Sequence, residues 1–206
     1  MGLDLLEKRF TDFETDRPGY KEVKEYAEKF ARDTGVAFNN HKQRPKGFTL
    51  LGPAGTGKSM LSACVANKLM DEYGVGCVMN MASLLIPTMA SLVHEEGMSQ
   101  YDTRMKAIKY LCLMPVVIID DIGREKSSSS AVNDRLVQDL FFILNDRYVN
   151  RMPIIVTSNL TQKELEAYLG DASYDRLMAM TKPFVLYGES YRLTKPWLPE
   201  ERGQRL

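Results

Sequence analysis

Gly52, Pro53, Ala54, Gly55, Thr56, Gly57, Lys58 and Ser59 form an uninterrupted G-x-x-x-x-G-K-S run. The apolar stretch Phe48 to Leu51 precedes it, and the helix-like stretch Met60 to Leu69 follows. Strand, glycine loop and helix in that order are the context in which this spacing cradles phosphate. Residues without a Cβ let consecutive backbone N–H groups turn inward around an anion, and the start of the next helix adds its positive end. Lys58 is long enough to reach β- and γ-phosphates, and the Ser59 hydroxyl suits Mg²⁺. The expected ligand is a nucleoside triphosphate held by all eight residues.

Hydrolysis needs more than a cradle. Asp120 and Asp121 close the most hydrophobic run in the chain, Pro115 to Ile119. A carboxylate there falls at the carboxyl edge of a parallel sheet, where open α/β folds gather their ligand groups. Asp120 is placed to hold Mg²⁺ through water, and Asp121 to orient or deprotonate an attacking water. Asn159 follows another apolar run, Ile154 to Val156 with Thr157 and Ser158. Its amide can hold the lytic water or the γ-phosphate, or can simply cap the helix opening near Thr161. Arg176 reads either as a charge completing a neighbouring subunit's site or as a solvated surface arginine. Arg192 is open in the same way, between a phosphate sensor in cis and an ion-pair partner. His41 and His94 have no partners at ligand or triad spacing and are assigned no chemistry.

Positioning these groups takes alternating strands and helices. Strands are expected at residues 48–51, 77–81, 115–120, 152–158 and 184–187. Helices are expected at 20–34, ending at Gly35, and at 60–69, 101–112, 132–148, 161–169 and 172–180. The apolar stretch 82–95 also has helical spacing, interrupted at Pro87. Ser127 to Ser130 read as a polar loop. Such alternation implies right-handed crossovers and a parallel sheet covered on both faces. The expected fold is therefore α/β, with five parallel strands flanked by helices. Residues 1–46 read as a lead-in segment and helix packed on the core, and 47–206 as the catalytic domain. Phe10 or Phe13 in that lead-in is a candidate contact for the nucleotide base.

Composition narrows the classes further. The chain is 44% hydrophobic, enough for a packed core, and its formal net charge is zero, so no global field draws it onto nucleic acid. Any DNA contact must use a local patch. Cys64, Cys77 and Cys112 are odd in number and widely spaced, which fits buried thiols in a reducing compartment rather than disulfides or a zinc site. With a charged start and no long apolar run, a cytoplasmic protein is expected.

Taken in order, these stretches resemble the AAA+ ATPases of the DnaC/DnaI helicase-loader group and their IstB-like transposition-helper relatives. The matching residues are Arg9 to Phe13, Gly52 to Ser59, Ile118 to Gly123, Ile155 to Leu160, Tyr174 to Leu177 and Gly188 to Arg192. The resemblance implies ATP with Mg²⁺ at subunit interfaces, a trans-acting finger at Arg176 and a second sensor at Arg192. It implies work on single-stranded DNA with a replicative DnaB-type helicase, or on double-stranded DNA for the IstB-like alternative. In this group the two helices after the second strand face DNA. Here the first has no Lys or Arg between Ala82 and Val93, so Arg104, Lys106 and Lys109 on the second become the candidates. Many AAA+ motors have Asp-Glu where this chain has Asp120-Asp121; the shorter side chain implies slow, partner-stimulated hydrolysis. Neither a full helical lid nor an N-terminal helicase-binding module is expected.

Overall fold

Buried strands with apolar residues on both faces need cover on both faces, and the fold supplies it. The computed structural model describes residues 3–124 and 130–194. Its strands are β1 (Gly47–Leu51), β2 (Cys77–Met81), β3 (Val116–Ile122), β4 (Ile154–Ser158) and β5 (Thr181–Val185). The helices are α1 (Leu3–Leu6), α2 (Tyr20–Asn39), α3 (Lys58–Tyr73), α4 (Ala82–Val93) and α5 (Gln100–Leu113). They continue with α6 (Ser130–Val149), α7 (Gln162–Leu169), α8 (Asp171–Met180) and α9 (Tyr191–Thr194). The sheet order is β2-β3-β4-β1-β5, and every pairing is parallel. All five carboxyl ends therefore share one edge. β4 lies between β1 and β3, so its tip separates the loop after β1 from the acidic end of β3.

Two apolar cores sandwich the sheet. Val117 and Ile119 of β3 belong to one, with side chains from α4 to α8. Val116 and Ile118 belong to the other, with Phe30 of α2, Leu61 of α3 and Phe13 from the lead-in. The lead-in is thus part of the layer behind the glycine loop. No helix of the described residues is long and apolar enough to cross a membrane. All three cysteines are free thiols, and burial pushes Cys64 up to about 12 and Cys112 to about 11, which leaves them protonated and inert.

The structure departs from the expected elements in several places. α2 does not end at Gly35 but continues to Asn39. Gly35 is required for packing instead: a Cβ there would lie 2.2 Å from the Tyr73 ring of α3. α4 passes through Pro87 unbroken, because Pro87 removes one backbone donor on the helix's exposed side. β5 begins at Thr181 rather than Phe184. It is an edge strand paired only with β1, so Pro183 interrupts no second ladder. Of the serine loop, Ser127 to Ser129 lie outside the described residues, and Ser130 opens α6.

Candidate active site

The loop between β1 and α3 turns on glycine. Gly55 has φ +80°, and a Cβ on it would sit 1.9 Å from the Ser190 hydroxyl. Gly57, at φ +91°, is the residue from which α3 starts. Neither position accepts an L side chain without strain. Thr56 closes the turn by donating from Oγ1 to Pro53 O at 2.9 Å.

Lys58 opens α3 and is buried. Its ammonium donates to Gly52 O and Pro53 O, both at 2.7 Å, and to Asn159 Oδ1 at 2.8 Å. Three N–H groups meet three acceptors, which suits the charged form. Burial pulls the lysine down to about 8, against the opposing pull of Asp121 and Asp120, while Arg192 pushes in the same direction as burial.

On the other side of β4's tip, Ser59 Oγ donates to Asp120 Oδ1 at 2.9 Å. Thr157 Oγ1 donates to the same oxygen at 2.6 Å and accepts the Asp121 N–H at 2.9 Å. Asn159 Nδ2 donates to Asp121 Oδ1 at 2.6 Å, and Arg124 approaches the other Asp121 oxygen at 3.5 Å. A bulge makes this possible. Ile119 pairs with Val156 and Ile122 with Ser158, so β3 carries one more residue than β4 across that stretch. Asp121 takes φ +58° there, a left-handed conformation that Asp accepts more readily than most residues. Two consecutive carboxylates, which a regular strand sends to opposite faces, both join the cluster at the edge.

Lys58, Ser59, Asp120, Asp121 and Asn159 are therefore one hydrogen-bonded unit. Thr157 holds it together and was missed by sequence reasoning. The available signal was its hydroxyl at the end of an otherwise apolar strand, which also reads as ordinary strand polarity. Asn159 is not the helix cap; Thr161 is, accepting the Glu164 N–H.

The arginines divide. Arg192, exposed on α9, is close enough for its charge to act on Lys58. Arg176 is not part of the unit: its Nη1 donates to Ala172 O at 2.6 Å, and its guanidinium lies 5.6 Å from the Phe141 ring centroid of α6. Arg104 is committed to a largely buried ion pair with Asp139, and Lys106 pairs with Glu95. Only Lys109 of that trio is exposed without an ion pair among the described residues. Phe13 is stacked on Tyr20, with centroids 5.8 Å apart, and its edge abuts Gly57. It supports the loop from behind.

The donor set fits a nucleotide with Mg²⁺. A hydroxyl and a carboxylate are the hard oxygen ligands that this ion takes alongside phosphate oxygens and water. Among the described residues no cluster of three or more His, Cys, Asp or Glu forms, so no all-protein metal cage competes with that arrangement.

The family model described as IstB-like ATP binding protein matches residues 21–197. The chain belongs to that family. The replicative helicase loader DnaI of Bacillus subtilis (strain 168) is 28% identical to it over 167 residues, covering 74% of this chain and 50% of that protein. An ATP-binding protein of insertion sequence IS5376 from Geobacillus stearothermophilus is also 28% identical, over 165 residues, covering 77% of this chain and 60% of that one. The crystal structure of the DnaC helicase loader superposes with a TM-score of 0.69 at 19% identity, covering 90% of this chain and 100% of that one. The IstB-like chain spans between half and two thirds of the curated relatives it matches. Its five-stranded sheet and glycine loop are the AAA+ ATPase fold expected from the sequence, and the DnaC/DnaI and IstB-like group is the one the motifs resemble.

Proposed function

We propose that this chain is an ATP-dependent loader that places a replicative DnaB-type helicase on single-stranded DNA during replication in the cytoplasm. The observation that carries the reading is the unbroken polar unit from Ser59 through Asp120, Thr157, Asp121 and Asn159 to Lys58, in a chain related to DnaI. That unit contains a phosphate cation, a metal-ligand pair and a water-orienting pair, as hydrolysis requires.

In this reading the loop residues Gly52, Pro53, Ala54, Gly55, Thr56, Gly57, Lys58 and Ser59 bind the phosphates, and Ser59 and Asp120 hold Mg²⁺. The ion, when bound, neutralises charge on the β- and γ-phosphates. Asp121 accepts a proton from water or orients it, with Asn159 fixing its carboxylate. Arg192 contacts the γ-phosphate in cis, and Arg176 of a second copy completes the site in trans. Two copies thus share one nucleotide. Hydrolysis is slow and stimulated by partners. Lys109 is the leading DNA-phosphate contact, since Arg104 and Lys106 are already paired. The division into a lead-in, 1–46, and an ATPase domain, 47–206, belongs to the same proposal.

The test is capture with the Asp121→Asn variant and ATP, which retains the nucleotide, from the host. Recovery of a replicative helicase, dependent on ATP, is the expected result; recovery of a transposase overturns it. The second reading, an IstB-like transposition helper on double-stranded DNA, is favoured by the equally similar insertion-sequence relative. ATP-dependent assembly on double but not single strands selects it.

A further inference from the structure

Three distant stretches meet on the outer side of the glycine loop. The Tyr191 N–H donates to Gly55 O at 3.0 Å, which ties the residue before Arg192 to the middle of the loop. The Tyr191 hydroxyl donates to Asp16 Oδ1 at 2.5 Å. Arg17 stacks over the same ring, its guanidinium carbon 3.6 Å from the centroid, and donates to Glu189 O at 2.6 Å. Tyr20 completes the arrangement, with its hydroxyl 3.0 Å from Thr56 O and 3.2 Å from Tyr187 O.

The close approach is built into the backbone. A Cβ on Gly188, at φ +126°, would lie 2.7 Å from Arg17 Nη1. The Cβ space of Gly55 is filled by Ser190. Bulk at either glycine would therefore push the segment carrying Arg192 away from the loop. Arg17 lies beside Asp16, whose charge favours the guanidinium. Its donor goes to a backbone carbonyl and its face to an aromatic ring, which is geometry specific to a planar guanidinium.

We infer that Arg17 and Tyr191 are positioning residues that set the reach of Arg192 and so make the site prefer ATP to ADP. The inference rests on the proposal that Arg192 meets the γ-phosphate. α9 is a single short turn, and Arg192 on it is exposed. The clasp constrains that turn. It grips the residue before Arg192 from two sides: the loop through Gly55 and the lead-in through Asp16 and Arg17. The lead-in thereby acts on a charge that itself acts on Lys58. A γ-phosphate gains from an arginine already held at the right distance, because the cost of ordering the segment has been met in advance. ADP, lacking that phosphate, gains nothing from it.

The test compares affinities of the full chain for ADP and a non-hydrolysable ATP analogue, by calorimetry, in five variants. Arg192→Ala is expected to cut the ATP-over-ADP preference about tenfold, the value of one charge-assisted hydrogen bond. Arg17→Ala is expected to cut it by a similar factor while ADP affinity stays within about twofold. Arg17→Lys and Tyr191→Phe, which each keep part of the clasp, fall between Arg17→Ala and the parent. The Arg17→Ala, Arg192→Ala double variant loses no more than Arg192→Ala alone, since both remove one interaction. If Arg192→Ala collapses the preference and Arg17→Ala leaves it intact, the clasp is only packing and the inference is overturned. Equal loss of both nucleotides in Arg17→Ala overturns it too, as a stability effect. If Arg192→Ala itself leaves the preference unchanged, the sensor role of Arg192 fails and takes the inference with it; the Lys58, Asp120 and Asp121 assignments stand apart from that result.

Discussion

Lys58 is the residue whose environment makes the sharpest demand. Its folded value of about 8 lies below the ordinary 10.5, so holding it charged costs stability below pH 8, and that cost is relieved as pH rises above it. Phosphate binds the charged form, so the nucleotide raises the value again. ATP binding at about pH 8.5 is therefore expected to take up protons, seen by calorimetry in buffers of different ionisation enthalpy. ATP affinity falls as pH climbs above 8, and the uptake vanishes below about pH 7. Binding with no proton uptake at the higher pH would sink this account of the lysine. Asn159 bridges that ammonium to Asp121, so Asn159→Ala is expected to lower turnover by about 10- to 100-fold with ATP affinity within about threefold. A loss confined to KM would instead make Asn159 a plain binding group. The positions of Lys58, Ser59, Asp120 and Asn159 were legible because motif spacing and strand ends bring them to one edge. Thr157 was not legible, since a hydroxyl at a strand end has no distinguishing neighbour in the sequence. Nor was the left-handed backbone of Asp121, which arises from register against β4.

At the scale of elements, one buried arginine joins the ends of α5, β3 and β4. Arg147 of α6 has no solvent exposure and donates to Leu111 O and Met114 O at 2.8 Å, to Pro115 O at 3.2 Å and to Pro153 O at 2.5 Å. Burial lowers it to about 10, so it stays charged at neutral pH and satisfies carbonyls that the ended helix and the strand entries leave open. Arg147→Met is expected to cost about 3–5 kcal/mol in urea unfolding, because several buried acceptors lose their donor together. Arg147→Lys recovers only part of that, having fewer donors and no fork. A cost below about 1 kcal/mol would mean water replaces the guanidinium freely. Arg147 falls within the helix expected at 132–148, where nothing in the sequence singles it out. Helical periodicity places a residue on a face but does not reveal which face ends among unpaired carbonyls. Gly35 and Pro87 misled in the same way: a local breaker signal was outweighed by packing between α2 and α3 and by exposure on α4.

For the molecule as a whole, alternation of strands and helices sufficed for the parallel sheet, whose order then brings three loops to one edge. What alternation could not supply is the separation of Arg176 from that edge, where it rests on Phe141 and its own helix. The proposal follows that one chain holds the phosphates and another supplies the arginine. Arg176→Ala alone should then bind ATP normally and fail to turn it over when DNA and partner are present. The most direct measurement mixes two variants that are each inactive, Arg176→Ala with an intact cradle and Asp121→Asn with an intact arginine. Shared sites predict that an equal mixture regains ATPase activity, since roughly a quarter of random junctions pair a sound cradle with a sound arginine. A mixture as inactive as its two components would contradict a site divided between copies.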